Sequence, residues 1–210
     1  MTLSGKALVF LWCGVAAVVI RNVSLVAAAL ATPGYSMRRD FLSELSAIDA
    51  PYASAMNILS LELVGTLIML AAIALFRAMS QRPAGHLSAM LIGLSGAAFI
   101  GIGLTPCDPG CVPVGPSLRM LIHLLSGAIA MGALSLSALV VGLGGFWRRP
   151  LDGPGLAGLV LGTISVISFG LLFSSAAWLE GNAGFVQRVI QASGDLWILV
   201  VCLHYARANH

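Results

Sequence analysis

The chain has 210 residues, of which 59% are apolar and only 9% charged, with a formal net charge of +3 and a mean hydropathy of +0.97. A soluble core cannot be that apolar, so a polytopic helical membrane protein is the expected class. There is no basic patch for nucleic acid, no phosphate loop and no dinucleotide fingerprint.

A membrane-crossing helix needs about 20 mostly apolar residues at 1.5 Å rise each. Spans are expected at Ala7 to Ala31, Ala53 to Phe76, Leu87 to Leu104, Leu118 to Leu143, Gly155 to Trp178 and Phe185 to Tyr205. The segments between them are short and rich in Pro, Gly or charge, so residues 1–210 read as one six-helix transmembrane domain. The first span follows Lys6, and its small-residue stretch Ala29-Leu30-Ala31 imitates a signal-peptide cleavage site. Arg21 to Leu30, between the apolar run and that site, is too long for a cleavage region, and the apolar pattern resumes after Asn22, so an uncleaved helix is expected. Asn22-Val23-Ser24 matches a glycosylation triplet but falls within that span.

After the first span, Ser36 to Ile48 places Met37, Phe41, Leu42, Leu45 and Ile48 at helical spacing. A short interfacial helix, apolar side down, is expected there. Asp40 lies three residues from Ser43 and four from Glu44, so these groups share a face. They form either a solvated polar face or the rim of a site. Two acids at that spacing repel unless a cation such as Arg38 or Arg39 is near.

The second span opens with Asn57 and carries Glu62. Gly93, Gly96, Gly101 and Gly103 thin one face of the third, and Gly158 with Gly162 forms a small-xxx-small pair in the fifth. Both read as close packing within the bundle rather than as a dimer seam. Between the third and fourth spans, Cys107 and Cys111 bracket Asp108-Pro109-Gly110, a turn that brings the thiols close enough to pair. A disulfide is the expected state. Metal binding through the same pair is the alternative, with only His123 at hand as a third ligand, and no metal or cofactor is expected. Cys13 and Cys202 read as small packing residues within spans.

Lys6, Arg77, Arg82, Arg148, Arg149 and Arg207 fall on one side. Arg38, Arg39, Arg119 and Arg188 share the other with Asp40, Glu44, Asp49, Asp108 and Glu180. The positive-inside rule puts both termini in the cytoplasm of a cell whose inner membrane the protein spans. The Cys107–Cys111 loop then faces an oxidising compartment, where a disulfide persists.

Pro33-Gly34-Tyr35-Ser36, Asp40, Ser43-Glu44-Leu45, then Pro51 and Asn57, form a run that resembles the signature of a bacterial membrane family catalogued only as domain of unknown function 998. The Cys107-to-Cys111 loop, His123 in Leu-Ile-His-Leu-Leu-Ser-Gly, and Gln187-Arg188 with Trp197 are similar to that family as well. Ser46 stands where the family usually has Gly. The resemblance implies six helices and no assigned reaction.

Arg21, Glu62 and Asp195 each fall roughly 12 to 15 Å below the outer ends of their spans at 1.5 Å per residue. A lone charge at such depth costs about 2.5 to 3.5 kcal/mol, so pairing Arg21 with Glu62 or Asp195 is the economical arrangement. Such a network either only orients helices or floors a polar cavity open to the outer leaflet. In the second case His123, Asn57 and the Asp40 to Glu44 segment form the rim, and Arg21 and Arg119 are available to an anionic group. The expected ligand is a lipid head group or a small polar molecule. The alternative is a lipid hydrolase or transferase, with His123 as base and Asp40 or Glu44 orienting it or a nucleophile such as Ser43. The sequence does not settle whether the protein is an enzyme, nor its oligomeric state.

Overall fold

The computed structural model describes residues 4–80, 83–112, 115–146, 153–174, 179 and 181–208. Arg82, Arg148, Arg149, Glu180 and the expected end of the fifth span at Trp178 lie outside the described residues. Six helices are long and apolar enough to cross a membrane. They are α1 (Gly5–Ala31), α2 (Ala53–Ala78), α3 (Pro83–Leu104), α4 (Leu118–Phe146), α5 (Gly153–Leu172) and α6 (Ala183–Arg207). Each expected span is present, most of them starting or ending a few residues wider.

The helices follow one another around a bundle, each packed on its neighbour in sequence, and α6 closes it against α1 while also touching α4 and α2. The inner faces carry Leu11, Ile68, Leu75, Ile92, Trp197, Ile198 and Val201, all fully buried, whereas large apolar side chains such as Val23, Met90, Leu125 and Ile167 face outward. An apolar exterior around an apolar interior is what lipid rather than water requires of a bundle. The protein is a multi-pass membrane protein. One end holds the start of α1 and the end of α6; the other, here the disulfide end, holds residues 32–52, 105–112 and 115–117 and the start of α6.

Small residues set the closest approaches. A Cβ on Gly96 would meet Gly65 O at 2.7 Å, and one on Gly158 would meet Ala138 O at 2.6 Å. The Gly158 and Gly162 pair packs on α4, within the bundle as expected. The third-span glycines do not share one face: Gly93, Gly96 and Gly103 meet α2, but Gly101 meets Ser126 of α4. At about 100° per residue, position 101 is turned away from 96 and 103.

Within α2, Met56–Leu63 winds as a π-helix. Such segments are uncommon and cluster at functional sites. Its buried residues include Asn57 and Ser60, and the Ser60 hydroxyl pairs with that of Ser24 on α1 at 2.5 Å.

The expected interfacial helix over Ser36 to Ile48 is replaced by turns and a 3-10 helix at Leu42–Ser46. Leu45 is buried, while Met37 and Ile48 are 37% and 43% exposed, so the five apolar residues do not share a face. The physical reason is competition for the backbone. The carbonyls of Arg38 and Arg39 accept the N–H groups of Phe185 and Gly184 at 2.9 and 3.2 Å, donors in the first turn of α6 that lack partners within their own helix. Carbonyls turned toward α6 do not point along the segment's own axis, as those of a regular helix do.

Candidate functional site

Arg21 and Asp195, both nearly fully buried at 2% and 3% exposed, form an ion pair between Arg21 Nη2 and Asp195 Oδ1. Asp195 Oδ2 also accepts the side-chain N–H groups of Asn22 at 2.8 Å and Gln191 at 3.4 Å. The guanidinium lies 4.5 Å from the centre of the Phe99 ring, but its Nε and Nη1 have no hydrogen-bond partner among the described residues. The acid is therefore well served and the base is not. Glu62 makes no ion pair among the described residues. It is half-buried and lies against Gly103, where a Cβ would come within 2.7 Å of its Cγ. Gly103 is the penultimate residue of α3, so Glu62 sits at the boundary level of that helix rather than beside Arg21.

Arg21 forms part of the wall of a cavity of about 280 Å³ in the half of the bundle toward the disulfide end. The apolar wall comes from Phe99 and Ile102 of α3, Met120, Leu124, Met131 and Leu134 of α4, Phe169 and Leu172 of α5, and Ile190 of α6. Its polar groups are few: Arg21, Ser43, Ser46, Ser60, His123, Gln187 and Gln191. Phe41, Leu42, Ser43 and Ser46 belong to the segment after α1, which covers the disulfide end of the space. The cavity is more apolar than the sequence led one to expect. Asn57, Glu62, Arg119 and Asp195, along with the side chains of Asp40 and Glu44, are not among its lining residues.

Those groups have other partners. Asn57 Nδ2 donates to Ser46 O at 3.1 Å, and its buried Oδ1 has no partner among the described residues. Arg119 donates to Asp108 Oδ1 at 2.9 Å, and Asp108 also accepts the N–H and hydroxyl of Ser117. Those two Ser117 bonds, with Arg119, hold the Asp108 carboxyl down at about 2. Asp40 takes two bonds from the Arg39 guanidinium and one from the Ser36 N–H at 2.8 Å. The Arg39 bonds hold its carboxyl below the usual carboxylate range. Glu44 Oε1 accepts the Phe41 N–H at 2.8 Å, capping its own 3-10 turn; burial pushes this carboxyl up, against that bond.

The covering segment is tied to α6. Arg188 donates to Tyr35 Oη at 2.5 Å and to Asp40 O at 3.0 Å, and Tyr35 Oη donates to Phe41 O at 2.9 Å. Burial raises the Tyr35 phenol and the Arg188 contact opposes this. Arg38 donates to Asn182 Oδ1 at 2.7 Å, and Gln187 Oε1 accepts the Leu42 N–H at 2.6 Å. The second anchor is the Cys107–Cys111 disulfide, whose loop meets the segment through Ile48 N–H to Cys107 O at 3.2 Å and Gly110 N–H to Asp49 Oδ1 at 3.0 Å. His123 stands beneath this loop, buried, with Nδ1 at 2.9 Å from Thr105 O. A carbonyl only accepts, so Nδ1 carries the proton and Nε2 is left with its lone pair.

The residues that interlock here are scattered over the sequence: Tyr35, Ser36, Asp40 and Glu44; Asn57; Cys107 and Cys111; His123; Gln187 and Arg188. A family model described as "Protein of unknown function (DUF998)" matches residues 15–204, a range that takes in all of them. The chain belongs to this family. Neither the curated proteins nor the solved structures contain a match. In this DUF998 chain, the segment after the first helix and the Gln187-Arg188 pair on the last are thus two halves of one contact. Sequence reasoning missed Asn22, Gln191, Ser60 and Tyr35 as partners. Gln191 had a legible signal, four residues before Asp195 on the same helix face; the apolar wall had none, because its residues look like ordinary lipid-facing or core positions.

Proposed function

We propose that the protein binds a membrane lipid within the bundle, the polar part of the lipid hydrogen-bonding to Arg21 and its apolar part lying along the α4 and α5 wall. The observation that carries this reading is the buried guanidinium whose Nε and Nη1 are unpartnered among the described residues, in the wall of a largely apolar cavity. Buried donors are seldom left without acceptors, and an ester carbonyl, phosphate or carboxylate supplies one. Because Asp195 already neutralises Arg21, the site selects for an acceptor more than for net charge. The protein sits in the cytoplasmic membrane of a bacterial cell with both termini inside. Lys6, Arg77 and Arg207 at the terminal end and the disulfide at the other support this orientation.

The test is mass spectrometry of the protein after mild extraction, alongside Arg21→Gln and Ala128→Trp, which fills the cavity. One lipid per chain retained by the wild type and lost from both variants is expected. Equal retention by all three, or none by any, refutes the reading.

A second reading rests on Ser43 and His123 both lining the cavity, with His123 held in the tautomer a general base requires. In a lipid hydrolase or transferase of this kind, the Thr105 carbonyl orients the base, since Asp40 and Glu44 are engaged elsewhere. Turnover of a defined lipid by the wild type but not by His123→Ala or Ser43→Ala distinguishes this from binding alone.

A further inference from the structure

His123 is placed as a metal ligand is placed. One imidazole nitrogen and the sulfurs of Cys107 and Cys111 all lie within 4.8 Å of one another, and the ring donates from Nδ1 to the Thr105 carbonyl. That second contact is the usual way in which a metal-binding histidine is held; it fixes the proton on Nδ1, so that Nε2 is the nitrogen able to coordinate. Two thiolates and an imidazole around one zinc ion stand roughly 3.5 to 3.8 Å apart, given Zn–S near 2.3 Å and Zn–N near 2.0 to 2.1 Å. The Cα atoms of the two cysteines, 5.2 Å apart, allow that separation by side-chain rotation once the sulfurs are no longer bonded.

We propose that reduction of Cys107–Cys111 converts this corner into a Cys2His site for a thiophilic divalent cation of the zinc class, its fourth position open to the cavity. A dithiol reductant supplies the two electrons and two protons. Its own sulfur–sulfur bond forms as the Cys107–Cys111 bond breaks and two thiols result. The cation then displaces both thiol protons, and His123 contributes a lone pair without losing a proton. The filled site is electrically neutral, two thiolates against one dication, which suits a place where Cys107 is wholly buried and His123 nearly so. Cys111 and His123 both line the cavity, so a water or a ligand oxygen can take the remaining position. Three protein ligands with one open position is the pattern of reactive rather than purely structural zinc. The oxidised and metal-bound forms exclude each other, because a sulfur in a disulfide is not a thiolate.

The experiment titrates Co2+ into the full-length protein in detergent, before and after treatment with a water-soluble phosphine that is not itself a thiol ligand. The reduced protein is expected to bind one Co2+ per chain, with thiolate charge-transfer and tetrahedral d–d absorption that Zn2+ abolishes. The oxidised protein is expected to show neither. In reduced His123→Ala the affinity falls at least about 10-fold and the d–d bands shift, and Cys111→Ser shows no thiolate pair at all. Absence of stoichiometric binding by reduced protein, unchanged binding by His123→Ala, or loss of helical content on reduction each overturns the proposal. Lipid retention by the oxidised protein is measured in parallel, so the failure of one reading is separable from that of the other.

Discussion

Replacing Arg21 with Met strands Asp195 inside the bundle. The acid keeps its bonds from Asn22 and Gln191 but loses its only cation among the described residues, at a position 3% exposed. Breaking a buried ion pair from one side costs about 3 to 5 kcal/mol. For a chain of this size, each kcal/mol lowers Tm by roughly 2 to 4 °C, so Arg21→Met should lower it by about 6 to 20 °C. Asp195→Leu should do comparable damage, since it leaves the guanidinium buried against Phe99 with no acceptor at all. The double variant removes both charges, and apolar replacement of a whole buried pair is often neutral or stabilising. It should recover most of the loss. The assay is the fraction of protein remaining monodisperse after heating in a fixed detergent, read as a double-mutant cycle. A cycle with coupling under about 0.5 kcal/mol, the limit expected of independent sites, refutes the reasoning. The same cycle separates a helix-orienting pair from a binding pair: if the double variant recovers stability but retains no lipid, Arg21 serves the cavity as well as the fold.

Tyr35→Phe removes the hydroxyl between Arg188 and Phe41 O and should cost about 1 to 3 kcal/mol, with faster hydrogen exchange across residues 36–46 as the readout. Cys107 and Cys111 should resist membrane-impermeant maleimides in intact cells until an impermeant reductant is added; prompt labelling of both without it counts against the disulfide, and no labelling of Cys111 after reduction counts against the orientation. Asp108, at about 2 in the folded chain against the usual 3.8, gives stability that is fully present above the unfolded value and lost as pH falls through the folded one. The Tm of the wild type should therefore drop from about pH 4 to pH 2 more steeply than that of Asp108→Asn. Glu44 has the opposite sign: its raised carboxyl favours the folded state at acid pH and opposes it once ionised. Glu44→Gln, which can still accept the Phe41 N–H, should keep or gain stability at pH 7, and a large loss there would mean that the charge itself is needed.

What was legible in the sequence follows from how each feature is encoded. A span is a run of apolar residues, and composition alone fixes it. The Cys107–Cys111 pairing is local, so its spacing decides it. The Arg21–Asp195 pair joins two helices at opposite ends of the chain, yet depth arithmetic found it because few charges exist in the spans and an unpaired one is costly. The same arithmetic failed for Glu62, because it counted from the start of α2 and could not know that α3 ends beside that residue. The covering segment failed for a related reason. Its periodicity was helical, but the unpaired N–H groups of α6 claim its carbonyls, and a tertiary donor outweighs a local pattern over so few residues.

That substitution of turns for a helix bears on how the cavity works. A regular helix satisfies its own backbone and can lift away from the bundle intact. Here the carbonyls of Arg38, Arg39 and Asp40 and the N–H of Leu42 are satisfied by Phe185, Gly184, Arg188 and Gln187, so removing the cover exposes the first turn of α6 as well. At about 1 kcal/mol net for each such bond, the four together hold the cover with several kcal/mol. If the cavity holds a lipid as proposed, its easier route is through the bilayer-facing side, where Leu124 and Phe173 line the cavity while being 45% and 70% exposed to the surroundings. Filling that gap with Gly127→Trp should slow exchange of a bound lipid without altering Tm by more than a few degrees, whereas Arg188→Ala should lower Tm and leave the exchange rate nearly unchanged. Faster exchange in Arg188→Ala, with Gly127→Trp at the wild-type rate, would place the route under the cover instead.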